Sequence, residues 1–547
     1  MGEDAVPRGA RGGVPPEAGV MRSSPAASWL MRGIALCVLV LAAGCGSAQP
    51  SGTPTPTGPL TDGHESGPLS RFYSQRLDWW SCKKQFQCTN LVVPLDYSHP
   101  DNGRTVTVAV IRAPATDQDH RIGSLITNPG GPGESGVQDL EKSYPDQDGQ
   151  PSNFGAAVRA QFDIVSFDPR GVGHSDPVTC LSGRGLDRYN AVDTTPSTPE
   201  QVQDLAAANQ SFAEGCEERS GQLLPFVGTP NAARDMDILR AALGDQKLNY
   251  LGYSYGTYLG AVYADLFPTR VGRTVLDGAL PPEQSTRQAD LDQAVGFQTE
   301  LTRFIADCVT RPDCPLGQDP GAAATKLAQF FASAQTQAIP TESHRTLNES
   351  LAQTGVLNSL YDSPSSWPQL RSGLAQAMNG NGQALLRSAD EYNGRHGGGH
   401  YSNSNEANVA IDCLDHPDHV RSVADVQAEL PAFQKASPLT GASGAWAELL
   451  CSYWPVPPQT QPHPVHYSGS PPILVIGNAN DPATPYSDAQ DLARQLGSSV
   501  LLTYDYDGHT AYGRGSHCID DAVDHYLTSG VPPAPGTRCR PDPTPPS

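Results

Sequence analysis

Ser254 stands in Gly252-Tyr253-Ser254-Tyr255-Gly256, between two stretches of different character. Leu248-Asn249-Tyr250-Leu251 before it is short and apolar, as a buried strand is. Thr257–Ala264 after it carries small and apolar residues at helical spacing. A G-x-S-x-G pentapeptide between a strand and a helix makes a nucleophile elbow. The turn is so tight that side chains two positions either side of the serine would clash, and glycine at 252 and 256 removes the clash. The helix N-terminus beneath the serine favours negative charge developing there.

A serine hydroxyl is a poor nucleophile at neutral pH. It needs a histidine to take its proton and a carboxylate to orient that histidine. On a sheet of this kind the order is Ser, then Asp or Glu, then His, in loops that follow successive strands. Asp481 follows the apolar run Ile473–Gly477, and His509 follows Val500–Tyr504. Both are in the required order. The rival acid is Asp277, at the end of Thr274-Val275-Leu276-Asp277, one strand too early. The rival bases are His174, in a loop that reads as a structural turn, and His517, beside Cys518. Asp505 and Asp507 lie too near His509 along the backbone to face its ring. The tetrahedral intermediate requires backbone N–H donors. One is expected from Tyr255 and the other from Gly130 or Gly131, in Asn128-Pro129-Gly130-Gly131-Pro132-Gly133.

These groups must be carried by a sheet. Leu91–Leu95 and Thr105–Ile111 read as a hairpin leading into strands at Ser124–Thr127 and Phe162–Phe167. A helix starts at Thr229-Pro230, with Met236, Leu239 and Leu243 on its apolar stripe. Strands alternating with helices predict an α/β fold, a mostly parallel sheet with helices on both faces. From about 284 to 465 helical segments dominate instead (Gln288–Cys308, Ala322–Ala338, Ser366–Met378, Ser422–Lys435). Strand patterns then return, so this stretch reads as a helical cap inserted in one domain. The expected division is a core in two parts, 71–283 and 466–540, around a cap at 284–465, with a tail at 541–547.

The net charge of −22 over 547 residues leaves nothing to neutralise phosphates, which excludes nucleic acid as a partner. Arg22 and Arg32 precede the apolar run Ile34–Leu41, which ends in Leu41-Ala42-Ala43-Gly44-Cys45. This is a signal segment, too short for a permanent span, whose small residues before cysteine match a bacterial lipoprotein signal with Cys45 as the lipidated residue. Residues 1–20 lack signal character, which puts the effective start at Met21 or Met31. Residues 46–70 are a Pro/Gly/Thr-rich tether. The remaining cysteines, Cys82, Cys88, Cys180, Cys216, Cys308, Cys314, Cys413, Cys451, Cys518 and Cys539, are even in number, so disulfides are the expectation for an exported chain. Pairing in chain order would close five local loops, and the connectivity is open at this point.

The pieces Val93-Pro94-Leu95-Asp96-Tyr97, Asn128–Gly133, Asp168-Pro169-Arg170-Gly171-Val172-Gly173-His174-Ser175, Gly252–Thr257, Asp481–Pro485 and Gly508-His509-Thr510 together resemble one family. It is the secreted tripeptidyl-aminopeptidase and mycelium-associated-proteinase branch of the proline-iminopeptidase serine peptidases, with its TAP-like C-terminal segment. The resemblance spans about 78–540. It implies an α/β-hydrolase fold, Ser254, Asp481 and His509 as the triad, and release of short peptides from free N-termini under a cap. It implies no metal and no organic cofactor. Such an enzyme must bind the substrate's ammonium. Asp412 and Asp415 resemble a recurrent family segment, and Glu134, which replaces a small residue of the family, is a third candidate. The alternative activity is a carboxylesterase or lipase with the same triad. A non-catalytic binding lipoprotein is the remaining reading. The expected location is the outer face of the cell membrane, held by the lipid, with partial release.

Overall fold

The structure is a computed structural model, and it describes residues 67–144, 152–362 and 364–542. The signal segment, Cys45 and nearly all of the tether lie outside the described residues. Ten strands form one sheet: β1 (Trp80–Lys83), β2 (Phe86–Pro94), β3 (Thr105–Ala113), β4 (Gly123–Asn128), β5 (Phe162–Phe167), β6 (Leu248–Tyr253), β7 (Val271–Asp277), β8 (Ile473–Asn480), β9 (Ser499–Asp507) and β10 (Arg538–Cys539). Their spatial order is β1-β2-β3-β5-β4-β6-β7-β8-β9-β10. The pairs from β1 to β5 across β2 and β3 are antiparallel, and every pair from β5 to β10 is parallel. Every residue of β4 and β5 is buried, as expected for strands covered on both faces.

Alternate residues of the central strands serve two separate cores. Tyr250, Leu276 and Val475 face a cluster with Met236 and Leu239 of the helix Thr229–Ala242 and Val262 of the helix Tyr255–Leu266. Their neighbours Leu251, Val275 and Leu474 face a second cluster with Leu140, Val158, Val523 and Leu527. Those four come from the helices Gly136–Ser143, Ala156–Gln161 and His517–Ser529. The sheet therefore carries helices on both faces.

The Asp168–Ser175 motif has a structural explanation. Arg170 is wholly buried and meets Asp235 in a bidentate pair, Nη2 to Oδ1 at 2.6 Å and Nε to Oδ2 at 2.7 Å. Its remaining N–H groups donate to the carbonyls of Pro94, Leu95 and Phe226. The motif thereby ties β2 to the turn after β5. Asp168 accepts from Ser135 Oγ and the Val137 and His174 amides, fixing the far end of the glycine-rich loop.

Residues 284–465 hold helices close to those expected: Thr286–Cys308, Pro320–Thr336, Trp367–Met378 and Val423–Ala436. The helix Pro199–Ser220 lies in a stretch where the sequence reading placed no element. It opens on a capping box at Thr198 and Gln201 with proline at its start. Its Leu205 packs with Phe433, Trp446 and Leu449, so the cap also draws on chain that precedes the elbow. The cysteines pair in chain order: Cys82–Cys88, Cys180–Cys216, Cys308–Cys314, Cys413–Cys451 and Cys518–Cys539. Among the described residues, no helix is long and apolar enough to cross a membrane.

Candidate active site

β6 ends at Tyr253 and the next helix begins at Tyr255, which leaves Ser254 alone to turn the chain. Its backbone is at φ 53° and ψ −124°, a strained conformation for a residue with a side chain. The neighbouring glycines follow from this turn. A Cβ on Gly252 would lie 2.4 Å from the Gly256 carbonyl, and one on Gly256 would lie 2.7 Å from the Asn128 carbonyl. Ser254 N–H donates to the Asp277 carbonyl at 2.9 Å, and its own carbonyl accepts from Thr257 N–H and Oγ1.

The loop after β4 lies against this elbow. Gly130 is at φ +98°, and a Cβ there would sit 2.5 Å from the Tyr253 carbonyl, 3.0 Å from Ser254 Cβ and 3.1 Å from Tyr255 N. Only glycine lets the backbone come this close. The Gly130 N–H is already used, donating to Asn128 Oδ1 at 3.0 Å. Among the described residues, the N–H groups of Gly131 and Tyr255 have no acceptor, so these two remain to meet an oxyanion.

Asp481 and His509, on the loops after β8 and β9, are brought together. His509 Nδ1 lies 2.9 Å from both Asp481 carboxylate oxygens. Asp481 is buried, and its Oδ1 also accepts from the Ala483 and Thr484 amides at 2.9 Å each. An ionised carboxylate there makes Nδ1 the protonated ring nitrogen and leaves Nε2 as a base. The His509 amide donates to the Tyr361 carbonyl at 2.8 Å, and the two rings meet edge to face at 5.8 Å. The cap thus touches the histidine directly.

The rivals sit elsewhere. Asp277 is wholly buried and accepts from the Ala511 and Tyr512 amides at 2.8 to 3.1 Å. It anchors the loop that carries His509, and burial pushes its carboxyl up to about 6. His174 and His517 are 67% and 88% exposed and pair with Asp168 and Asp542. Asp505 pairs with Arg538 and Asp507 with Arg303.

The three candidates for the ammonium part company. Asp415 is buried and accepts from Thr229 N–H at 3.0 Å and from Thr229 Oγ1, which in turn contacts the Tyr255 hydroxyl. It caps the helix Thr229–Ala242 and braces the residue after the serine; burial lifts its carboxyl to about 6. Its oxygens are occupied. Glu134 is exposed on the glycine-rich loop. Asp412 is 40% exposed, lies 3.4 Å from His416 Nε2, and lines a cavity of about 460 Å³ in the cap. Tyr361 lines the same cavity. So do Asp290, Glu448 and Gln353, which sequence reading missed. The pattern placed a helix over Asp290 and no element over Gln353 or Glu448, and nothing local distinguishes a carboxyl that faces a cavity from one that faces water.

No metal centre is built here from the one His/Cys group among the described residues. Cys413 and Cys451 beside His419 are bonded to each other and offer no thiolate.

A family model described as TAP-like protein matches residues 437–539. The chain is 39% identical over 488 residues to serine protease Hip1 of Mycobacterium tuberculosis, covering 85% of this chain and 91% of that protein. It is 34% identical over 488 residues to tripeptidyl aminopeptidase of Streptomyces lividans, covering 86% and 87%. The chain belongs to the TAP-like family of α/β-hydrolases. Another relative, carboxylesterase B of Mycobacterium tuberculosis, is 37% identical over 477 residues, covering 85% and 90%. This TAP-like chain is a serine hydrolase, with an elbow, a paired His–Asp and two free amides converging at one end of its sheet.

Proposed function

We propose that this chain is an exported serine exopeptidase that releases short peptides, of tripeptide length, from free N-termini. The observation that carries the reading is the acid-lined cavity in the cap, which shares Tyr361 with the ring of His509, itself paired with Asp481. A peptide that enters with its N-terminus in that cavity can present only a bond near its end to Ser254. Three extended residues span at most about 11 Å, and about 460 Å³ lies within the range of small-ligand pockets. The names of the relatives, a serine protease and a tripeptidyl aminopeptidase, support the same class.

In this reading Ser254 Oγ attacks the scissile carbonyl as His509 Nε2 takes its proton. The oxyanion is held by the Gly131 and Tyr255 amides, and Asp481 balances the imidazolium. Collapse breaks the C–N bond, and the Nε2 proton leaves with the amine of the shortened chain. Water, deprotonated by the same Nε2, then cleaves the ester to free the peptide acid and Ser254. The second reading is an esterase, favoured by the relative named carboxylesterase B. Tripeptidyl amides with free and acetylated N-termini, compared with a simple acyl ester, separate the two. The free-amine amide should exceed the acetylated one by about 10²-fold in kcat/KM. Equal rates on the two amides, with the ester far ahead, would establish the esterase.

Export and lipidation at Cys45 belong to the same proposal. The five disulfides among the described residues support an oxidising compartment. Radiolabelled palmitate should enter the wild-type chain and not Cys45→Ala, and the variant should leave the membrane fraction. A variant that stays equally bound would remove the anchor.

A further inference from the structure

We propose that the facing carboxyls of Asp290 and Glu448 form the cation site of the cap cavity, and that a substrate's terminal ammonium displaces a proton held between them. The inference rests on the exopeptidase reading and names the residues and chemistry of its specificity.

Four cap segments converge on this place. Asp290 comes from the helix Thr286–Cys308, Gln353 from Glu349–Asn358, Asp412 from Ser404–Asp415, and Glu448 opens the turn Glu448–Tyr453. All four residues line the cavity. Glu448 is 6% exposed, and neither of its oxygens has a donor among the described residues. Two facing carboxyls have a hydrogen bond between them only when one is protonated. Independently, Gln353 is 3% exposed and its Oε1 is also without a donor, while its amide N–H donates to Glu349 Oε1 at 2.9 Å. Buried acceptors are normally satisfied. Three unsatisfied acceptor oxygens around one cavity call for a donor, and a primary ammonium brings three N–H groups and a positive charge.

The surroundings favour a cation from every side. Asp412, Asp418 and Glu429 add negative charge. Asp418 is turned towards Thr286, accepting from both its N–H and its Oγ1. The one guanidinium acting on the pair, Arg287, lies 3.2 Å from Glu429 and is committed there. His419 is buried with its Nε2 3.9 Å from Asp412 Oδ2. The Cys413–Cys451 disulfide ties the segment of Asp412 to that of Glu448, so the acids cannot drift apart. Burial first and the Glu448 charge second push Asp290 well above the ordinary carboxylate range; burial first and the Glu429 charge second lift Glu448 to about 7, against a hydrogen bond with Asp290 that lowers it. A hydrogen bond between the two carboxyls requires a proton, so the empty pair holds one. An arriving –NH₃⁺ makes full ionisation favourable, and the proton leaves to solvent. Affinity accordingly rises with pH through about 7 and falls once the peptide's own amine, at about 7.7–8.0, loses its charge.

The test uses full-length Ser254→Ala, which binds peptide without cleaving it. Calorimetry compares a tripeptide amide with its N-acetyl form and with a lysine-containing acetylated form, in buffers of differing ionisation enthalpy. The free-amine peptide should bind about 10²-fold tighter than either acetylated form, releasing at least one proton at pH 6. Adding Glu448→Gln or Asp290→Asn should bring that ratio to near 1 and abolish the proton release. Fluorophosphonate labelling of the same substitutions on the Ser254 background shows that the site has folded. If both variants keep the discrimination, or if the parent binds the free amine without releasing a proton, the assignment is wrong even though the exopeptidase reading stands. If the parent does not discriminate at all, that reading falls with it. Equal preference for the lysine form would reassign the pair to a side-chain ammonium and overturn the proposal.

Discussion

Ser254→Ala should lower turnover of a tripeptidyl amide by about 10⁴–10⁶-fold while the fold survives. The serine's backbone bonds, from its N–H to Asp277 and from Thr257 to its carbonyl, do not involve its hydroxyl. The elbow's φ of 53° is as costly for alanine as for serine, so the turn loses nothing further. What disappears is the hydroxyl that the proposed mechanism uses to attack. The Gly131 and Tyr255 amides stay in place, so a residue of catalysis over water should remain. Steady-state kinetics, with circular dichroism to show an unchanged fold, measures this. A loss under tenfold would mean that another group performs the attack.

Asp481→Asn should cost about 10⁴-fold in kcat with little change in KM. The reason lies in the donors around the carboxylate. Oδ1 accepts from the Ala483 and Thr484 amides, so an asparagine must place its carbonyl there. Its NH₂ then takes the Oδ2 position, facing Thr510 N–H and His509 Nδ1. The NH₂ there favours the tautomer with the proton on Nε2, where the histidine can no longer accept one from the serine. Asp277→Asn is the contrasting variant. Asp277 accepts from backbone amides two and three residues beyond His509 and does not choose the tautomer. A pH–rate profile for each, alongside kcat, distinguishes the roles. A larger loss at Asp277 than at Asp481 would exchange the two assignments.

Much of the chemistry was legible because it is local. The elbow needs glycine at fixed offsets from Ser254, and the steric reason appears as contacts of 2.4 and 2.7 Å. Strand ends, an apolar run followed by a polar loop, put Asp481 and His509 in the loops where the structure has them, 2.9 Å apart. The choice between Gly130 and Gly131 was not legible, since it depends on Asn128 Oδ1 occupying one of the two amides. Asp415 and Asp412 look alike on one helix, three residues apart. Helical geometry turns one toward Thr229 and the other toward the cavity. The helix Pro199–Ser220 carries no single apolar stripe, because its Leu205 packs on cap residues more than 200 positions later, Phe433 and Trp446, while its Phe212 meets Tyr189.

By itself, then, the amino-acid order determined the class of chemistry, the places of Ser254, Asp481 and His509 at the ends of strands, and the α/β sheet interrupted by helices. Backbone sterics and hydrophobic period act over a few residues and leave their mark in every short stretch. Tertiary structure alone decided the floor of the cavity. Asp290 and Glu448 are ordinary helix and turn acids until burial strips their water and sets them facing each other. Desolvation and charge proximity depend on distance in space, which no spacing along this chain records.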